Sequence, residues 1–152
     1  MSVTFEPAAN NTWKLEVDTG TVPETPTWTP VKGINSFTPA QNYSVQDSSD
    51  FDSDGWGSDA ITQRKWQVTA TVLRKNDGTA YDAGQEALRE ASMGATVELV
   101  HVRWYDTSIA TGEAYEGDAY VQWAPSGGAG TALQAVNITL LGQGAPLETT
   151  IP

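Results

Sequence analysis

The sequence has 152 residues, of which 39% are hydrophobic and 18% charged, and it contains no cysteine. This composition is typical of a folded domain with its own core and excludes an intrinsically disordered chain. Nineteen acidic residues against eight basic ones give a formal net charge of −11 at pH 7, which argues against nucleic-acid binding by charge neutralisation. The missing cysteines exclude disulfides, cysteine-bound zinc and thiol catalysis.

The sequence carries no sign of export or membrane insertion. Residues 1–7 lack the basic and apolar segments of a secretory signal, and no apolar run approaches the length of a membrane span. Neither an internal repeat nor a linker between domains is visible. We therefore expect one domain, residues 1–152, made in the cytoplasm and without a membrane partner.

The first half of the chain predicts strands separated by turns. Residues 12–17 alternate between apolar and polar side chains, as a half-buried strand does. Prolines break the next stretch, and residues 31–37 predict a short strand with a glycine kink. The clearest strand pattern covers residues 61–75, with Trp66 on its apolar face and threonines on its polar face.

An acidic segment, residues 47–59, precedes that strand and is predicted to be a long loop. It contains five aspartates, two aromatic residues and no basic residue. Such a loop requires a metal, a partner or open solvent. The residues expected to make its contacts are Asp47, Asp50, Phe51, Asp52, Asp54, Trp56 and Asp59.

The loop fails the sequence test for a standard calcium-binding hand. Asp50, Asp52 and Asp54 match the first half of that motif, but its twelfth position, normally a bidentate glutamate, is Ile61. We therefore predict no metal and no cofactor. A looser calcium site that includes Asp59 stays an open alternative.

The second half of the chain predicts one helix and more strands. The helix is expected over about residues 79–93, with Thr79 as its N-cap and Gly94 as its stop. Further strands are predicted over residues 96–106, 114–123 and 131–141, with a short edge strand or tail over residues 146–151. Together these elements predict a mainly β fold of two packed antiparallel sheets, a sandwich or partly open barrel, with one flanking helix.

The sequence offers no catalytic apparatus. His101 is the only histidine and lies within a predicted strand, so it cannot form a multi-histidine metal site, and no nucleophile or orienting group can be named beside it. No phosphate-binding glycine loop is present. We therefore predict that the protein is not an enzyme and that His101 is structural or faces solvent.

Six tryptophans are many for this length. Trp13, Trp66 and Trp123 are in phase with apolar strand faces and are expected in the core. Trp28 and Trp56 lie in predicted loops, where they would contact a partner. A carbohydrate- or calcium-binding β-sandwich module is the alternative interpretation of these loops.

Several segments, in this order, resemble the major tail tube proteins of long-tailed bacteriophages. The resemblance covers most of the chain. It is carried by residues 31–34, by the Asp/Ser/Gly loop leading into Lys65-Trp66 and its strand, by the helix start at residues 82–86, by the Tyr-Glu-Gly-Asp-Ala-Tyr-Val strand at residues 115–121, and by residues 126–128 and 136–144.

The resemblance implies a structural role in the phage tail of the virion. Subunits would form hexameric rings that stack into a tube, and the genome would pass through its lumen during ejection without specific binding. The expected partners are other copies of the chain, the tape measure protein, and the tail terminator and distal tail proteins. Within this interpretation, the acidic loop contacts the adjacent ring. The expected lumen residues are Glu116, Asp118, Gln67, Thr69 and Thr71.

Overall fold

The computed structural model describes residues 5–21 and 25–152. This part of the chain forms the strands and helix β1 (Trp13–Asp18), β2 (Trp28–Pro30), β3 (Ile34–Asp47), β4 (Asp59–Leu73), α1 (Ala83–Met93), β5 (Leu99–Asp106), β6 (Ala114–Pro125) and β7 (Ala135–Glu148). A 3₁₀ turn at Asn10–Thr12 precedes β1, and a second at Phe51–Ser53 lies between β3 and β4.

The strands form one antiparallel sheet in the order β2-β1-β5-β6-β7-β4-β3. The prediction of a mainly β fold with a flanking helix is confirmed, but the strands are not divided between two hydrogen-bonded sheets. The sheet instead curls on itself: Trp13 of β1 stacks on Phe37 of β3, with ring centroids 5.5 Å apart, although four strands lie between β1 and β3. The arrangement is therefore closer to the partly open barrel than to the sandwich.

The apolar core fills the inside of this curl. Alternate residues of each strand point inward, because side chains on a strand alternate between its two faces. The fully buried side chains include Leu15, Val17, Val68, Val72, Leu88, Val102, Ile138 and Leu140. Burying each of these contributes about 1.5–3 kcal/mol relative to leaving it exposed. Trp66 is buried and Trp13 and Trp123 are half-buried against this core, as predicted.

The helix α1 begins at Ala83, later than predicted. Its N-cap is Asp82, whose carboxylate accepts a hydrogen bond from the backbone N–H of Gln85 over 3.2 Å. Thr79 is not the cap and lies in the preceding turn. The helix ends before Gly94, as predicted, and Gly94 donates its N–H to the last turn.

Gln85 fastens the helix to the ends of β3 and β4. Its side chain is completely buried, and its Nε2 donates to the backbone carbonyls of Lys32 and Leu73 over 2.6 and 2.9 Å. Its Oε1 accepts from the backbone N–H of Lys75 over 3.1 Å. A single side chain thus satisfies three backbone groups that no strand partner reaches.

Two strands are longer than predicted. The short strand expected at residues 31–37 is the beginning of β3, which continues to Asp47, and β7 extends to Glu148 through most of the predicted tail. Pro39 is tolerated within β3 because β3 is an edge strand of the sheet. Asp47 pairs with Asp59 across the hairpin, so the loop is shorter than predicted and covers residues 48–58.

Candidate subunit interfaces

The most prominent feature outside the core is a two-stranded extension of the β3–β4 hairpin. These strands pair over their whole length, whereas β7 pairs only with residues 67–73 of β4. Residues 41–47 and 59–66 therefore form a ribbon without a further strand, and we call residues 41–66, with the connecting loop, the arm. A two-stranded ribbon alone is marginally stable in water, so the arm is a candidate surface for contact with a partner.

The arm tip is the predicted acidic loop. Turns held by aspartate side chains define it: Asp47 accepts from the N–H of Ser49 over 2.9 Å, and Asp50 accepts from the N–H of Asp52 over 3.0 Å. The hydrogen bonds from Ser49 lower the pKa of Asp47, which keeps that carboxylate ionised. The aromatic anchors are exposed, Phe51 completely and Trp56 by 81%.

One face of the arm is apolar. Tyr43, Val45 and Ile61 are about half exposed, and they extend the face of β3 that buries Phe37 in the body. Arg64 lies opposite Tyr43, with its guanidinium 6.0 Å from the ring centroid. The core-facing side of the sheet thus continues beyond the body as an exposed apolar stripe, which is typical of a surface that meets another protein.

Trp66 marks the point where the arm leaves the body. Its indole Nε1 donates to the carbonyl oxygen of Gly144 over 3.0 Å, and the ring lies against Gly142 and Gly117. A Cβ atom at Gly142 would be 2.3 Å from the indole ring. The two glycines therefore make room for the ring at the place where β4 and β7 separate.

The five residues predicted to face the lumen lie on one surface of the sheet. Thr69 pairs with Thr139 of β7, which pairs with Gln122 of β6, and Gln122 lies on the same side of β6 as Asp118. Opposite residues in antiparallel strands share a face, so both predicted sets point away from the core. We call this surface the polar face; its members include Thr38, Gln67, Thr69, Thr71, Glu116, Asp118, Gln122, Asn137 and Thr139.

His101 lies between the two acidic members of the polar face. Its Nδ1 is 2.9 Å from a carboxylate oxygen of Asp118, and its Nε2 is 3.0 Å from one of Glu116. Burial is the largest single effect and lowers the pKa of His101, but the hydrogen bonds and charges of Asp118 and Glu116 together outweigh it and raise the pKa. When His101 is protonated, it partly neutralises the lumen candidates Glu116 and Asp118.

Trp28 was predicted to lie in a loop, but it lies in β2, where it pairs with Asp18 of β1. Its ring lies 4.5 Å from the guanidinium of Arg103 and 5.4 Å from His101. Arg103 also donates to Glu16 over 2.8 Å. Trp28 therefore covers a charged cluster on its own subunit.

A cleft lies at the opposite end of the β3–β4 hairpin from the arm tip. It has a volume of about 490 Å³, and Lys14, Lys32 and Lys75 line it together with Trp13 and Phe37. We call it the lysine cleft. The sequence did not predict this cleft, because its lysines are far apart in the chain and only the curl of the sheet brings them together.

The apolar face of the arm was also missed, although the sequence contains a signal for it. From Phe37 through Pro39 to Tyr43 and Val45, apolar residues recur at every second position apart from Gln41. Proline within this run lowers its strand signal, which explains the early end predicted at residue 37.

Within residues 5–21 and 25–152, no group of three or more metal-ligating side chains is placed to hold an ion. In the same residues, no helix is both long and apolar enough to cross a membrane.

Comparisons with known proteins identify solved structures with this architecture. No protein-family model and no curated protein matches the sequence. Among solved structures, a hybrid structure of the SPP1 tail tube superposes with a TM-score of 0.69 at 15% identity, covering 95% of this chain and 80% of that one. The tail of an empty gene transfer agent particle, computed with C6 symmetry, superposes with a TM-score of 0.68 at 14% identity. The match covers 95% of this chain and 100% of that one.

A third similar structure comes from the baseplate of the anti-feeding prophage, which was symmetrised six-fold. Its TM-score is 0.67 at 8% identity, and the match covers 97% of this chain and 98% of that one. At these identities the likeness concerns the fold. This chain therefore has the fold found in phage tail tubes and related tail structures.

Proposed function

We propose that this protein is a structural subunit of a bacteriophage tail tube. The observation that carries the proposal is the combination of a tail-tube fold over 95% of the chain with a long arm that its own body leaves uncovered. Two of the similar structures come from assemblies with six-fold symmetry, which supports six subunits per ring. A structural subunit needs no catalytic residues, in keeping with the lone histidine held between two carboxylates.

Rings would form through the free edges of the sheet. One edge is β3, whose outer side has no strand partner in the described chain, and the other is the three-residue strand β2. A long unpaired edge is a liability for a monomer but is a joint when a neighbouring subunit covers it. A head-to-tail contact that closes after six copies gives a ring.

The polar face would line the lumen. Most of its members are threonine, asparagine or glutamine, and Glu116 and Asp118 are its acidic members. The register also places Lys65, His101 and Arg103 on this face, but His101 and Arg103 are paired with carboxylates. The face therefore offers a DNA phosphate backbone little free counter-charge, so DNA could pass without sticking. Besides DNA, the tape measure protein would occupy this lumen, and tail terminator and distal tail proteins would cap the tube in the virion.

The arm would stack the rings. Its exposed tip aromatics and its apolar stripe offer an amphipathic surface to the next ring. Aromatic anchors of this kind dominate the binding energy of many protein interfaces.

Negative-stain microscopy of the concentrated protein, alone and mixed with other tail components, tests the proposal. We expect rings and tubes of uniform diameter. A protein that stays monomeric in every mixture would contradict the proposed function.

Cysteine labelling tests the lumen assignment separately, because the chain contains no native cysteine. In a Thr69→Cys variant, a small maleimide should react with tubes and with dissociated subunits alike. A maleimide attached to a carrier protein wider than the lumen should react only with dissociated subunits, which serve as the control. Equal reaction of the large reagent with tubes would place Thr69 on the outer surface.

A further inference from the structure

We propose that the acidic arm tip of one subunit docks in the lysine cleft of a subunit in the adjacent ring. This inference rests on the proposed function and names the acceptor surface for the arm. Ring stacking would then be a contact between two copies of the chain, in which the acidic tip of one copy meets the basic cleft of the other.

The lysine cleft is a local concentration of positive charge on an acidic protein. It holds three of the four lysines of the chain, Lys14, Lys32 and Lys75. None of their ammonium groups forms an ion pair with a residue in the described ranges. Glu16 also lines the cleft, but its carboxylate is already bound by Arg103 and the hydroxyl of Tyr105.

The arm tip has the complementary charge. The segment from residue 47 to residue 59 carries five aspartates and no basic residue. An ion pair between exposed groups is weak, but several pairs in one interface add both attraction and orientation. A six-fold ring would make the same contact six times. Because the six contacts act together, stacking is stronger than one contact alone would make it.

The aromatic residues of the two surfaces also match. The tip presents Phe51 and Trp56, which the body of their own subunit leaves exposed. The half-buried ring of Trp13, which is stacked on the buried ring of Phe37, offers the cleft an aromatic surface. Its volume of about 490 Å³ lies in the range of sites that enclose a bulky group.

The positions of the two surfaces suit stacking. The cleft is built from residues at the beginning of β3, such as Ile34, and from Lys75 just after the end of β4. The tip lies at the other end of the same two strands, and 14 extended residues of β3 span roughly 45 Å. Tip and cleft therefore cannot meet within one subunit. A contact between opposite ends of identical subunits is head-to-tail and propagates along an axis, as ring stacking requires.

A charge swap tests the pairing. Lys32→Glu with Lys75→Glu should raise the protein concentration needed for tube growth by about tenfold or more, because attraction becomes repulsion. Asp50→Lys with Asp52→Lys should have the same effect. Combining all four substitutions in one chain should restore tubes, with growth at a concentration near that of the wild type.

A matched control separates pairing from net charge. Combining the two tip substitutions with Ala110→Glu, Thr111→Glu, Ala129→Glu and Thr131→Glu also restores the net charge, but it places the acids at exposed positions outside the arm, the polar face and the cleft. This variant should not form tubes. Rescue by the control as well as by the cleft combination would show that only net charge matters and would overturn the proposal.

Disulfide trapping gives a second test that does not depend on charge reversal. In a chain with Asp52→Cys and Lys32→Cys, oxidised tubes should give a covalent ladder on a denaturing gel, and either single variant should give no more than a dimer. A double variant that forms tubes but no ladder would overturn the docking. If the wild type forms no tubes at all, the proposed function fails. If the wild type and the Lys32→Glu, Lys75→Glu variant form tubes equally well, only the docking fails.

Discussion

The indole of Trp66 donates a hydrogen bond to the carbonyl oxygen of Gly144 over 3.0 Å, at the point where β4 leaves β7 and becomes part of the arm. The ring fills the space between the separating strands and packs on Trp104 with ring centroids 4.8 Å apart. A core residue therefore fixes the direction in which an exposed interface element leaves the body. In the proposed tube, this coupling would link the stability of the subunit to its capacity for assembly.

Gly142→Ala should destabilise the fold at this junction. The added Cβ would lie 2.3 Å from the indole of Trp66, so the ring or β7 must shift. We expect a loss of about 1–3 kcal/mol in the free energy of unfolding, measured by urea denaturation. Gly130→Ala is the matched control, because nothing lies within 4 Å of a Cβ at that position. Equal stability of the two variants would contradict the packing described for Trp66.

Asp82→Ala should remove the N-cap of α1. The Asp82 carboxylate accepts from the backbone N–H groups of Gln85 and Lys32, each over 3.2 Å. We expect a cost of about 1–2 kcal/mol in the free energy of unfolding. Thr79→Ala, at the position predicted from sequence to be the cap, should change stability by less than about 0.5 kcal/mol. A larger loss of stability in Thr79→Ala than in Asp82→Ala would show that Thr79 is the cap.

His101 should make the stability of the protein depend on pH. Its pKa is raised in the folded state by Asp118 and Glu116, against the opposing effect of burial. Protonated His101 therefore stabilises the fold below the unfolded pKa of about 6.5, and this contribution is lost as pH rises through the higher folded pKa. His101→Gln should remove this part of the pH dependence.

The measurement is the free energy of unfolding of the wild type and of His101→Gln between pH 5.5 and 8.5. The wild type should have its advantage at low pH, at less than about 1 kcal/mol because the cluster is partly exposed. An NMR titration of the single imidazole reads the folded pKa directly. A value below that of an exposed histidine would contradict the role of the two carboxylates.

Shortening the arm should separate folding from assembly. Replacing residues 49–57 by an Asn-Gly turn keeps the bonded pair of Ser48 and Ser58 and suits a tight hairpin. Because these residues lie outside the core, the melting temperature should change by only a few degrees. Sedimentation should then show single rings or subunits but no tubes. Normal tubes from this variant would show that the tip is dispensable for stacking.

The sequence predicted the local structure well wherever local signals act alone. The alternating pattern around Trp66 located β4 within two residues at either end, and Gly94 located the end of α1. The start of the helix was misplaced because Thr79 and Asp82 are both good caps, and the choice depends on the contact of Asp82 with Lys32, 50 residues away. Local pattern carries no information about such a partner.

The long-range arrangement was less predictable. Whether strands form one curled sheet or two separate sheets depends on the pairing order, and Trp13 meets Phe37 only because β1 and β3 approach across the curl. The lysine cleft depends on the same approach. In contrast, the residues proposed for the lumen were found by alternation along each strand, and the register between strands placed them on one face.

A cryo-electron microscopy reconstruction of the assembled protein at side-chain resolution tests the central claim most directly. The account predicts six subunits per ring, the polar face with Thr69 toward the lumen, and each arm reaching into the adjacent ring with Trp56 against a neighbouring subunit. A reconstruction in which the arm folds back on its own ring, or in which Thr69 faces the outside of the tube, would contradict it.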